Sequence, residues 1–141
     1  MDKLDDILEE ILKDNYLKII KNEEKLLKNL GGLSLKECNT LDAIALTIKN
    51  KNNTAKSIAK ILGITPGTLT TNLDRLMDKG LIYKEKSIDD KRLVLIYLTP
   101  DGCGVRRKRE NAHRKIIANA IENLSTPEKV ALMGALNKLE F

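Results

Sequence analysis

The stretch Thr54-Ala55-Lys56-Ser57-Ile58-Ala59-Lys60-Ile61-Leu62-Gly63-Ile64-Thr65-Pro66-Gly67-Thr68-Leu69-Thr70-Thr71-Asn72-Leu73-Asp74-Arg75-Leu76 decides the fold. Ala55, Ile58, Ala59 and Leu62 stand at i, i+3, i+4 and i+7. That spacing predicts a short helix with one inward face, opened by Thr54 as N-cap. Gly63 breaks it. Thr65-Pro66 restarts a helix, with Thr as cap and Pro at the first helical position, where a missing N–H costs nothing. Leu69, Leu73 and Leu76 give the second helix its buried stripe, and Lys79-Gly80 ends it with a cation and a C-terminal glycine. Two short helices around a glycine turn have the layout of a helix-turn-helix, whose second helix fits the major groove of a DNA duplex.

Opposite the leucine stripe the sequence sets Thr68, Thr70, Thr71, Asn72 and Arg75. Asn pairs bidentately with adenine, and Thr offers a hydroxyl and a methyl to thymine. Gly67 leaves room for close backbone approach, and the Thr65-capped N-terminus can receive a phosphate. Arg75 and Lys79 are expected on the nucleic-acid backbone. The alternative for the same residues is a merely solvated face. Immediately downstream, Leu81–Lys86 and Leu93–Leu98 are β-rich runs flanking the polar segment Ser87–Arg92, which reads as a hairpin with a charged tip. Asp89-Asp90-Lys91-Arg92 suits a wing that carries Lys91 and Arg92 toward a minor groove, where the potential is most negative. Asp90 is placed to brace Arg92 through a charge-assisted bond. Taken alone, the same tetrapeptide is an ordinary polar turn.

Working outward, Leu4, Ile7, Leu8, Ile11 and Leu12 start a long helical pattern that runs through Leu17, Ile20 and Leu27 to Gly31-Gly32. Ser34-Leu35-Lys36-Glu37 is a capping box, followed by a face of Leu35, Cys38, Leu41, Ala45 and Ile48. After the hairpin, Thr99-Pro100-Asp101 opens a helix with Ala112, Ile116, Ala120 and Leu124 on one side. A second capping box, Ser125-Thr126-Pro127-Glu128, precedes Val130, Met133, Leu136 and Leu139. The fold class is mainly α (α+β), a winged helix-turn-helix inside flanking helices.

Composition narrows the function. A chain of 141 residues fits one domain, and with 42% hydrophobic but only 3% aromatic residues its core must be Leu, Ile and Val. The net charge of +5 and a pI near 9.2 favour an acidic partner. Cys38 and Cys103 form no CxxC pair, so a disulfide framework is not expected and a reducing cytoplasm fits. One His and two distant Cys make no metal site. Gly102-Cys103-Gly104 lacks a nucleotide-binding fingerprint. With no nucleophile–base pair or carboxylate cluster, an enzyme is not expected. The first residues are acidic and amphipathic rather than a signal peptide. No apolar run reaches the ~20 residues of a membrane span.

Ser57-Ile58-Ala59-Lys60, Thr65–Thr70, Leu76–Ile82, Asp89–Leu93 and Leu98-Thr99-Pro100-Asp101-Gly102, in that order, resemble the MarR family of bacterial regulators across nearly the whole chain. The resemblance implies one winged-helix domain over residues 1–141. Residues 34–98 would bind a pseudo-palindromic double-stranded operator, and residues 1–33 and 99–141 would form the dimerisation layer of a homodimer. It also implies a wing arginine at Arg92 with an aspartate two residues before it, at Asp90. Leu33–Asp42 and Thr68–Leu73 are similar to the fatty-acid-synthesis repressors of the FabT type. These imply acyl-acyl-carrier protein as corepressor, with its fatty acyl chain in an apolar tunnel and the acidic carrier on a basic surface. Arg106, Arg107, Lys108, Arg109, His113, Arg114 and Lys115 are the candidate surface; the same helix could instead face DNA phosphate or solvent. Three further readings stay open: a regulator of this family that responds to a small aromatic effector, one that senses an oxidant at Cys103 or Cys38, and a protein-binding winged-helix module without DNA affinity.

Overall fold

Capping side chains and glycines punctuate the chain at the positions expected from the sequence. The computed structural model describes residues 2–141, and among them the order is α1 (Lys3–Asn29), α2 (Leu35–Lys49), α3 (Ala55–Leu62), α4 (Pro66–Asp78), β1 (Ile82–Lys86), β2 (Val94–Leu98), α5 (Pro100–Ile121) and α6 (Thr126–Leu136). Asp2 caps α1, accepting from the Asp5 N–H. Ser34 and Glu37 cap each other's backbone at the start of α2, and Ser125 and Glu128 do the same at α6. Gly63, at φ +64°, closes α3 in the left-handed region that glycine enters at least cost.

The chain divides into two compact units, one ending at Arg109 and one comprising Glu110–Phe141. The first holds the core: Cys38, Leu41 and Ile44 of α2, Ile58 of α3, Leu69, Leu73 and Leu76 of α4, and Leu81, Ile82 and Ile96 of the hairpin. α2 is buried over much of its circumference, since Glu37, Thr40, Ala43 and Thr47 are sealed as well. Leu35, expected inward, is 46% exposed at the first position of α2, while Leu33 just before it is buried in the core. Ala55, likewise the first residue of its helix, is exposed. The strands pair antiparallel from Ile82↔Leu98 to Lys86↔Val94.

Two contacts tie the hairpin down. Asn53 is buried; its amide donates to the Ile96 carbonyl (2.8 Å) and its own carbonyl accepts from the Ile96 N–H (2.9 Å). Thr54 bridges Leu95, so the segment before α3 extends the sheet edge. At the other end, the Thr99 hydroxyl donates to the Gly80 carbonyl (2.7 Å) and accepts from the Gly102 N–H (3.1 Å), joining the end of α4 to the start of α5. Gly102 is buried against Leu81: a Cβ there would drive into the Leu81 carbonyl oxygen.

Outside this core, α1 leaves Leu4, Ile7, Leu8, Ile11 and Leu12 exposed, and only Leu26 of that helix is fully buried. In the second unit no residue of α6 is buried, and Val130, Met133 and Leu136 are exposed. No helix is long and apolar enough to cross a membrane, and no group of metal-ligating side chains occurs, both among the described residues.

Candidate nucleic-acid interface

The outward side of α4 follows from its inward side. Leu69, Leu73 and Leu76 fix the core stripe, and at 3.6 residues per turn Thr68, Thr70, Thr71, Asp74 and Arg75 fall outside it; all are exposed. Thr65 caps the helix, accepting from the Thr68 N–H (3.2 Å) and donating to the Thr68 hydroxyl (2.9 Å). The hydroxyls of Thr70 and Thr71 donate back to the carbonyls of Pro66 (2.9 Å) and Gly67 (3.3 Å). These two threonines therefore present lone pairs and methyl groups outward, which suits the amino donors of adenine or cytosine and the methyl of thymine. Gly67 is exposed with open space where a side chain would sit.

Asn72 does not belong to this row. It is 8% exposed and sits between Leu69 and Leu76 on the stripe facing α2. The reason is periodicity: Leu69, Asn72, Leu73 and Leu76 form a complete i, i+3, i+4, i+7 set, so an outward asparagine would break the helix's own register. Lys79 also leaves the expected backbone-contacting set. Its ammonium lies 2.7 Å from Glu37 Oε2, on the start of α2. Burial opposes ionisation of Glu37, yet the hydrogen bonds from Lys79 and from the Ser34 N–H and hydroxyl hold its carboxyl below the ordinary value.

Asp74 is a candidate that sequence reasoning misses. It lies three residues beyond Thr71 on the same outer row, where a carboxylate can accept from a cytosine amino group. Lys56 and Lys60 are missed too. They line a groove of about 450 Å3 between α3 and α4, opposite Pro66 and Thr70, and bring cations to the flank of the reading helix.

The wing has the expected geometry. Asp90 Oδ1 accepts from the Arg92 backbone N–H (3.0 Å) and from Arg92 Nε (3.2 Å). The side chain of Arg92 nevertheless remains 91% exposed, so its outer nitrogens are available while its stem is aimed. Lys91 is exposed beside it.

The basic run on α5 is partly engaged within the protein itself. Arg109 donates to Glu23 Oε1 (2.9 Å) and Asp42 Oδ2 (3.0 Å), and its side chain is only 14% exposed. Arg106 binds the other oxygen of Asp42 at 2.9 Å. The two guanidiniums thus fasten α5 to α2 through the exposed Asp42, and Arg109 also fastens it to α1 through the half-buried Glu23. Arg114 pairs with Glu110 one turn before it, and His113 is half-buried. Arg107 and Lys108 are exposed and make no ion pair among the described residues. Cys38 is sealed in the core, where burial pushes its thiol up from the ordinary value, and Cys103 is exposed.

A glycine-turned helix pair, a row of hydrogen-bonding groups on the second helix and an arginine-tipped hairpin define a winged helix-turn-helix protein. Comparison with known proteins agrees. Residues 46–94 match the model of the MarR family. The multiple antibiotic resistance protein MarR of Salmonella typhimurium is 34% identical over 91 residues, covering 61% of this chain and 60% of that protein. This chain therefore aligns with about three fifths of that relative's length. The fold matches S. aureus MepR in a DNA complex at TM-score 0.82, 21% identity, 92% of this chain and 95% of that one. Streptococcus pneumoniae FabT in complex with DNA is 30% identical at TM-score 0.72, over 92% of this chain and 90% of that one. The chain belongs to the MarR family.

Proposed function

We propose that this chain is a sequence-specific regulator of transcription that binds double-stranded DNA as a homodimer, and within that class a repressor of fatty acid biosynthesis genes. The observation that carries the DNA reading is the pairing of an exposed Thr68–Arg75 row with a wing arginine that Asp90 aims and leaves 91% exposed. In this reading Thr68, Thr70, Thr71 and Asp74 meet base edges. Arg75, Lys56 and Lys60 hold backbone phosphates, and Arg92 enters the minor groove. Two copies present two such helices about one turn of DNA apart, roughly 34–36 Å, on a pseudo-palindromic operator. The exposed apolar side chains of α1, and separately those of α6, support dimerisation, since a lone chain gains nothing by leaving such faces in water.

The lipid branch draws on the likeness to FabT over most of the chain. Acyl-loaded carrier protein acts as corepressor in this reading, and its acidic surface meets Arg107 and Lys108, two cations of the α5 run that make no ion pair among the described residues. An oxidant-sensing regulator is the second reading, favoured by one observation: Cys103 is exposed.

Titration of the protein on its own promoter DNA over a salt series, with bare and with acyl-loaded carrier protein, tests both levels. Salt-dependent binding that tightens only with the loaded carrier is expected. An equal effect of both carriers removes the lipid branch and keeps the regulator. Absence of salt-dependent DNA affinity removes both.

A further inference from the structure

We infer that Ile88, at the tip of the wing, is an apolar wedge that enters the DNA minor groove and selects deformable base steps there. The inference rests on the DNA-binding reading above. Ile88 is 96% exposed, more than any other large hydrophobic among the described residues except Phe141. Leu93 and Val94, across the same hairpin end, are exposed as well. The core reaches the hairpin only at its base, through Leu81, Ile82 and Ile96, and no residue from 87 to 93 is buried. Ile88 therefore contributes nothing to the packing of the fold. A lone surface isoleucine would need no explanation, but this one is mounted on a built loop beside the wing's cations.

The Ser87 N–H donates to the Leu93 carbonyl (2.9 Å) and closes the loop at its neck. Within it, two turns share Asp90. The Ser87 hydroxyl oxygen accepts from the Asp90 N–H (3.4 Å), which sets Ile88 and Asp89 at one corner. The Asp90 carbonyl accepts from the Leu93 N–H (3.0 Å), which sets Lys91 and Arg92 at the other. Asp90 Oδ1 then aims Arg92. The residue that orients the guanidinium thus also fixes the corner that bears Ile88. An Arg92 in the minor groove brings Ile88 to the same few base pairs.

Charge alone does not draw this loop in. Asp89, Asp90, Lys91 and Arg92 are two carboxylates and two cations, and phosphate repels the exposed Asp89. What the tip gains on DNA is apolar contact. Aliphatic side chains of this size part neighbouring base pairs from the minor-groove side, and the unstacking costs least at pyrimidine–purine steps. A wedge therefore reads deformability without a hydrogen bond to any base.

The test selects duplexes from a random-sequence pool with the full chain and with Ile88→Ala, and sequences both pools. Wild type should enrich the bases read by α4 and, outside them, TA or CA steps under the wings. Ile88→Ala should keep the former and lose the latter. On the wild-type sequence it should bind about tenfold more weakly per wing, the worth of covering about half of an isoleucine. Its salt slope should not change, because no charge is removed, and neither should its melting temperature. Arg92→Ala lowers the slope, so the two losses are distinguishable. 2-Aminopurine at the outer step should brighten when wild type binds and stay dark with Ile88→Ala. Identical pools with equal affinities overturn the wedge and assign the isoleucine to a protein partner instead. A dark 2-aminopurine with bound wild type overturns it too. A wild-type pool without enrichment, together with no salt-dependent affinity, sinks the regulator reading and takes the wedge with it.

Discussion

Replacing Gly102 by alanine should destabilise the protein, whereas the same change at Gly104, two residues on in the same helix, should not. At Gly102 the added Cβ overlaps the Leu81 carbonyl oxygen, a backbone atom that cannot rotate aside. Overpacking of this kind costs about 1–3 kcal/mol. Relief requires the start of α5 to move from Leu81, which strains the bonds from the Thr99 N–H to the Leu81 carbonyl (3.0 Å) and from the Thr99 hydroxyl to the Gly80 carbonyl (2.7 Å). Each contributes about 1 kcal/mol. Better helix propensity returns about 1 kcal/mol, so the net loss is about 2–4 kcal/mol, a fall in melting temperature on the order of 10 °C. At Gly104 the new methyl meets nothing within 4 Å, so only the propensity gain of up to about 1 kcal/mol remains. Thermal and denaturant unfolding followed by circular dichroism, at one fixed protein concentration, reads both variants. If Gly102→Ala proves as stable as Gly104→Ala, the close approach of α5 to Leu81 does not exist in solution and the docking of its first turn onto the winged helix must be redrawn.

Arg92→Ala should weaken operator binding and flatten the salt dependence by about one charge unit per wing, whereas Asp90→Ala, which keeps the guanidinium but frees it, should lower affinity with the salt slope retained; equal slopes for wild type and Arg92→Ala would take the wing off the DNA. Glu37 has a depressed carboxyl pKa, so its pairing stabilises the fold at neutral pH, and that contribution drains away as pH falls below about 4.5. Unfolding measured from neutral to acid pH should therefore show a shallower acid loss for Glu37→Gln than for wild type, and identical profiles would discount the pair. A thiol reagent on the native protein should modify Cys103 and spare Cys38, with Cys38 reacting only on unfolding; rapid modification of both, read by mass spectrometry, would contradict the sealed core around α2.

Much of the molecule is legible from local chemistry. Ser34, Thr54, Thr65 and Ser125 cap because a short side-chain oxygen satisfies a helix's first N–H groups whatever lies elsewhere, and Gly63 and Gly80 end helices because their positive φ is local too. The brace from Asp90 to Arg92 spans two residues and is equally readable. Asn72 sends two signals in the sequence. Its polarity suggests an outward role, but the spacing of Leu69, Leu73 and Leu76 puts it inward, and the spacing prevails.

Other features depend on residues distant in the chain. Arg109 looks like a free cation in the sequence, and it is engaged because the fold brings Glu23 and Asp42 to it from 86 and 67 residues away. Gly102 looks like an ordinary helix-start glycine until Leu81 arrives beside it. Asn53 passes for a turn residue until β2 offers Ile96. Secondary structure, caps, the glycine turn and the arginine wing follow from the sequence alone, since each is settled within a few residues by backbone geometry. Which cations find a carboxylate, which glycine is hemmed in by backbone and which asparagine ties down the hairpin were decided only in three dimensions, because Coulomb attraction and burial act between neighbours in space and the sequence does not say who those neighbours are.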